Sequence, residues 1–207
     1  IETIELESGP YLVKKETSSS ATPLPDAYDE LTEMGRYFSK STVRTGIQAT
    51  EEALLESLGQ TPEILSIATH SRNLKIGTKA TLALLLSPTS STDGYLTPQE
   101  VGQMSFEKTK LVALSACNTS NIAETKNQEA YRGLASRFVG RGARNVLTTH
   151  WPVYSIAAKE ILLDMTRSPG KHLAHKLQVA MKNAIKSNDL RKADPKYWAP
   201  FTLVGFN

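Results

Sequence analysis

Leu111-Val-Ala-Leu-Ser-Ala-Cys117 is the stretch that decides the fold class. Six apolar or small residues run without a charge and stop at a cysteine. This is the composition of a β-strand covered on both faces, where neither side meets water. Upstream, Ile64-Leu-Ser-Ile-Ala-Thr runs the same way into His70. Downstream, Asn145-Val-Leu-Thr-Thr runs into His150-Trp151-Pro152. Ala80 to Leu86 is a further strand, followed by the turn signals Ser87-Pro88 and Asp93-Gly94, and Pro200 to Phe206 closes the chain as another. Ser41 to Arg44 reads as a short strand.

Between these runs the period changes. Leu31, Met34 and Phe38 fall at spacings of three and four, which predicts a helix over about Ala27–Ser39. Thr50 is the N-cap of a second helix that opens with Glu51-Glu52. A third runs from about Gln128 to Val139 and stops at Gly140 and Gly142, and two amphipathic helices occupy about 155–167 and 171–187. Buried strands alternating with helices of roughly 10–15 residues imply parallel pairing with helices on both faces of one sheet. Nothing after residue 27 marks a boundary. Residues 1–22, with the Ser/Thr/Pro-rich stretch beginning at Thr17, read as a strand and linker segment, and residues 23–207 as one α/β domain.

Composition narrows the class. The 207 residues are 40% hydrophobic and 22% charged, enough for a sizeable core without staples. A single cysteine cannot form an internal disulfide, which excludes a disulfide scaffold. No apolar run approaches the roughly 20 residues of a membrane-spanning helix, and no signal segment opens the chain. These features predict a cytoplasmic protein, and Ile1 in place of Met predicts a fragment or processed piece. Charge is uneven: residues 1–60 hold 5 Lys/Arg against 11 Asp/Glu, a net of −6, and the rest hold 19 against 10, a net of +9. The basic charges of the second part (Lys171, Lys176, Lys182, Lys186) fall at helical spacing without interleaved aromatics. They read as a solvated helix face, and direct nucleic-acid binding is not expected.

Open α/β sheets gather ligands and catalytic groups at the carboxyl ends of their strands. His70 ends one apolar run and Cys117 another. If the two strands are neighbours, about 4.8 Å apart, an imidazole and a thiol can face one site. A cysteine nucleophile needs such a neighbour to raise its thiolate fraction. A lone cysteine can equally be a small buried hydrophobe, and the histidine a strand cap. His150 with Trp151 ends a third strand and is a weaker candidate for lining a cleft. His172 and His175 share a helix face but have no further ligands nearby in sequence, so no metal site is expected. Nucleotide-binding glycine loops and a G-x-S-x-G elbow are absent.

Ile67-Ala-Thr-His70 together with Leu114-Ser-Ala-Cys117-Asn-Thr resembles the paired signature of CHAT domains, caspase-like cysteine peptidases often joined to tetratricopeptide repeats. The order of other motifs fits the same family: Leu24-Pro25 before an acidic helix, Ala49-Thr50-Glu51, Asp93-Gly-Tyr-Leu-Thr97 with Glu100, Gly133-Leu-Ala135, Gly142-Ala-Arg144, Trp151-Pro-Val153 and Trp198-Ala-Pro-Phe201. The resemblance spans roughly residues 23–207. It implies a caspase-like three-layer sandwich and a cysteine endopeptidase of protein substrates, without a cofactor, in prokaryotic immunity or cell-death signalling. Cys117 would be the nucleophile and His70 its activator. The backbone N–H groups of Cys117 and Ser71 would hold the oxyanion, and Ser115, Asn118, His150 and Trp151 would line the substrate cleft. A regulatory partner or a repeat region is the expected second partner besides substrate. Two residues depart from the family pattern: Ser71 follows the histidine where glycine is usual, and Ser120 stands where glycine commonly follows the Cys-x-Thr step. A serine forced to φ > 0 costs about 1–2 kcal/mol.

Overall fold

A computed structural model describes residues 24–76, 79–117, 126–151, 153–168 and 172–206; the side chains of 75–80 and 116–132 are not described. The helices are α1 (Pro25–Gly35), α2 (Glu51–Gly59), α3 (Pro98–Val101), α4 (Lys126–Gly140), α5 (Ser155–Arg167), α6 (Leu173–Ile185), α7 (Leu190–Ala193) and α8 (Pro195–Trp198). The strands are β1 (Ile64–Ile76), β2 (Lys79–Leu85), β3 (Tyr95–Leu96), β4 (Leu111–Cys117), β5 (Asn145–Thr149) and β6 (Phe201–Gly205). They form a six-stranded sheet in the order β3-β2-β1-β4-β5-β6. The central strands β1, β4 and β5 pair in parallel, and the flanking pairs are antiparallel. Four strands therefore run one way, since β3 returns to the direction of β1.

Strand alternation divides the core in two. On β4, Leu111 and Ala113 join Met34 of α1 and the apolar stripes of α5 and α6 on one face. Val112 and Leu114 face α4 and the Leu54, Val101 and Phe106 side chains on the other. The result is the expected three-layer α/β sandwich. Local chemistry fixes several joints. Thr50 Oγ accepts from the Ala53 N–H at 3.1 Å and starts α2 as predicted. Thr97 and Glu100 form a reciprocal capping box that starts α3. Gly94 sits at φ +80°, and a Cβ there would lie 2.6 Å from the Leu86 carbonyl oxygen, so this turn admits only glycine.

Two expectations are corrected. Residues 41–45 carry no strand; the chain runs unpaired into a 3₁₀ turn at Gly46–Gln48. And β1 does not stop at His70. It continues to Ile76 and folds against β2 as an antiparallel hairpin, Ser71 opposite Leu84 through Ile76 opposite Lys79. The polar residues Ser71, Arg72 and Asn73 hid this half of the strand, since its order comes from the β2 backbone and a small cluster of Leu74, Ala83 and Tyr95.

Candidate active site

β1 changes partner at one point. From Ile64 to His70 it pairs with β4, and from Ser71 onward with β2. β4 ends at Cys117, directly opposite His70 in the parallel register. Neighbouring strands stand about 4.8 Å apart, and directly paired positions of a parallel ladder share a face of the pleat. On β1, Ile64 packs with the α1/α5 core and Ile67 with the opposite one, so the even positions, His70 included, belong to the α1/α5 face. The odd positions of β4 belong to the same face, which includes position 117. The fold therefore brings the two backbone positions together at the carboxyl edge of the sheet, His70 from the middle of a long strand and Cys117 from the end of a short one. His70 is half-buried.

The other predicted residues fall around this point. Ser115 lies two positions before Cys117 and is half-buried; its hydroxyl donates to Glu30 Oε2 at 2.9 Å. His150 and Trp151 follow β5, the next strand over, with ring centroids 6.4 Å apart; the His150 N–H donates to the Pro200 carbonyl at 2.8 Å, and Trp151 is 40% exposed. Ser71 is buried within the β1–β2 ladder and has no positive φ. The serine in place of glycine therefore carries no backbone strain here. Asn118 and Ser120, within the segment 118–125, lie outside the described residues.

α1 brings a buried carboxyl, Glu30, against Ser115 of β4, and the sequence reading missed it. Glu30 is 1% exposed, and burial pushes its carboxyl up to about 7, partly offset by the Ser115 hydroxyl and by Lys159. Its second oxygen, Oε1, is buried with no hydrogen-bond partner. Asp26, one turn earlier, accepts from the Ser155 hydroxyl at the start of α5. The signal was present as the acidic helix after Leu24-Pro25, but helical spacing alone does not say which acid faces the sheet.

A second acidic group lies apart from this edge. Glu51, Asp93 and Glu100 bring carboxylate oxygens within 4.8 Å of one another. Burial and the two neighbouring acids push Glu51 up to about 7, so at least part of the crowding is relieved by a proton. Glu52 accepts from the Thr89 and Ser91 hydroxyls, each at 2.6 Å, which hold it at about 2.

The CHAT domain family model matches residues 5–206. The chain belongs to the CHAT domain family. Among solved structures, the Arg-specific cysteine proteinase gingipain R matches it with a TM-score of 0.53 over 87% of this chain and 40% of its own, at 9% identity. The likeness is one of fold: a caspase-like α/β sheet. The CHAT chain thus spans less than half the length of that proteinase. No curated protein matches the sequence. Among the described residues no helix is long and apolar enough to cross a membrane.

Proposed function

We propose that this CHAT domain is a cysteine endopeptidase acting on protein substrates, with Cys117 as nucleophile and His70 as its acid–base partner. One observation carries the reading: the direct register pairing of His70 with Cys117 at the carboxyl edge of the parallel strands. In this mechanism the Cys117 thiolate adds to the scissile carbonyl carbon. The C=O electron pair moves onto oxygen, where the backbone N–H groups of Cys117 and Ser71 are the proposed donors. His70 then gives its proton to the leaving amine, and the C–N bond breaks. Water, deprotonated by the same imidazole, hydrolyses the resulting thioester. Ser115, Asn118, His150 and Trp151 are the proposed cleft residues. The proposal includes a cytoplasmic setting and control from outside, by a partner or a tetratricopeptide-repeat region that raises the rate.

Labelling with a thiol-reactive electrophile at pH 6–7 tests the dyad. Cys117 is expected to react faster than a free thiol, whose ordinary pKa is about 8.5, and His70→Ala is expected to slow it at least about tenfold. An inert thiol, or a rate indifferent to His70→Ala, would sink the enzyme and leave a silent interaction module. Peptide turnover measured with and without the regulatory partner tests the second part; equal, fast turnover in both refutes outside control.

A further inference from the structure

We propose that the bare edge of β1 from Ile64 to Ala68 is a docking site for one further strand, and that its occupant is this chain's own segment around Tyr11-Leu12-Val13, slotted between β1 and residues 41–45. The occupant segment lies outside the described residues.

The edge is the first support. Up to His70, β1 pairs with β4 on one side and, among the described residues, with no strand on the other. Glu63 accepts from the Leu111 N–H at 3.2 Å, which fixes the phase of the ladder. Leu65, Ile67 and Thr69 therefore turn their N–H and C=O groups to β4, and Ile64, Ser66 and Ala68 turn theirs outward. Burial follows the same division. Leu111–Leu114 of β4 and all of β5 are buried, yet from Ile64 to Thr69 only Ile67 is. This half of β1 is covered above and below and bare along one side. An uncharged bare edge is a template for another strand, and native sheets cover such edges.

The path of the chain is the second support. Residues 41–45 have no ladder partner and lead into a turn on the β2 side of β1. There Ser87, just past β2, donates its N–H to the Ala49 carbonyl at 2.8 Å and its hydroxyl to the Gly46 carbonyl at 2.7 Å. Parallel crossovers are right-handed in about 98% of cases. The β4–α4–β5 crossover steps toward β6 with its helix on the Phe138 face. By that hand α2, on the same face through Leu54, enters β1 from the β2 side, where residues 41–45 run. α1 lies on the opposite face through Met34, so it steps the other way, from a strand nearer β1 out to residues 41–45. The strand that feeds α1 therefore belongs in the slot. A buried polar atom without a partner lies on each wall, Ser66 Oγ on β1 and Arg44 Nε on the segment 41–45, which marks both walls as incomplete.

Reach is the third. α1 packs against β1 and starts at the carboxyl edge of the sheet, where Asp26 accepts from the Ser155 hydroxyl. A strand parallel to β1 delivers its chain to that edge. Residues 14–23 extend up to about 33 Å, well beyond the two strand spacings of about 10 Å that they have to cover. Tyr11-Leu12-Val13 is the nearest apolar, β-prone run upstream of α1. Its short tether favours it over a strand from another molecule. Filling the slot gives β1 a ladder on both sides up to His70, so the segment fixes the strand that carries the candidate histidine.

Amide exchange on the whole 207-residue chain reads the slot directly. In the wild type, Ile64, Ser66 and Ala68 should exchange within about tenfold of Leu65 and Ile67. Leu12→Pro should speed the first three at least about 100-fold and leave β5 nearly unchanged. Fast exchange at Ile64, Ser66 and Ala68 in the wild type overturns the proposal. So does protection that Leu12→Pro leaves intact. Protection that vanishes on dilution assigns the edge to a second copy, and protection that needs an added protein assigns it to that partner; either overturns the chain's own segment as occupant. If Leu12→Pro does not fold, a nitroxide on Lys14→Cys in a Cys117→Ser background locates the segment. It should broaden the amides of residues 64–68 and 42–45 and spare β6, three strands away. Any other pattern of broadening overturns the placement.

Discussion

Glu51 shows what a single buried acid does to the whole protein. Its carboxylate accepts from the Gly94 N–H at 3.2 Å, while burial, Glu100 and Asp93 push its pKa up to about 7. Glu30 reaches the same value through burial alone, against the pull of Ser115 and Lys159. Both groups begin from an ordinary 4.5 in the unfolded chain. Between about 4.5 and 7 the folded protein keeps the proton that the unfolded chain has lost, so stability falls as pH rises through this window. Each group accounts for at most about 3 kcal/mol of that fall. Glu51→Gln keeps an acceptor for Gly94 and removes the titration. Urea midpoints at pH 5 and pH 8 should therefore lie closer together in this variant than in the wild type, with the gain at pH 8. An unchanged gap would show that Glu51 titrates normally. Neither acid stood out in the sequence as a raised group. Thr50-Glu51 was legible as a helix start, but the crowding at Glu51 comes from Asp93 and Glu100, more than forty residues away.

At the scale of elements, the β1–β2 hairpin is the part that the sequence least discloses. Its inner half is held by pairing with β4 and a full core on each face, while the outer half relies on β2 and the cluster of Leu74, Ala83 and Tyr95. A small cluster gives a low local opening energy. Leu74 is 8% exposed, and truncating it to alanine should cost about 2–3 kcal/mol, at the low end for buried leucines. Amide exchange should then accelerate from Ser71 to Leu85 and stay nearly unchanged in β5. Uniform acceleration across the sheet would instead join the hairpin to the global core. The effect matters for the candidate site, since His70 stands at the last residue of the β4-paired half.

The whole molecule is held by two cores that meet through the sheet. Phe106 and Phe138 sit at the centre of one, 1% and 0% exposed, with ring centroids 4.9 Å apart in an edge-to-face pair. Phe138→Ala should cost about 3–5 kcal/mol and lower the protection of all central strands together, as global unfolding does. Loss confined to α4 would show that this helix opens by itself. By itself, the sequence determined the sheet and its covering, because the uncharged runs 64–69, 111–116 and 145–149 cannot face water and the helices between them carry one apolar stripe each. It also placed a histidine and a cysteine at the ends of two such runs, and the ordered motifs located the chain among CHAT domains. Only the tertiary structure decided that these runs are neighbours in register, so that position 70 faces position 117. It alone carried β1 past His70, where pairing with a distant backbone overrides three polar side chains. And it alone turned Glu30 inward to Ser115, 85 residues away, because which face of a helix is buried depends on what packs against it and not on the helix's own spacing.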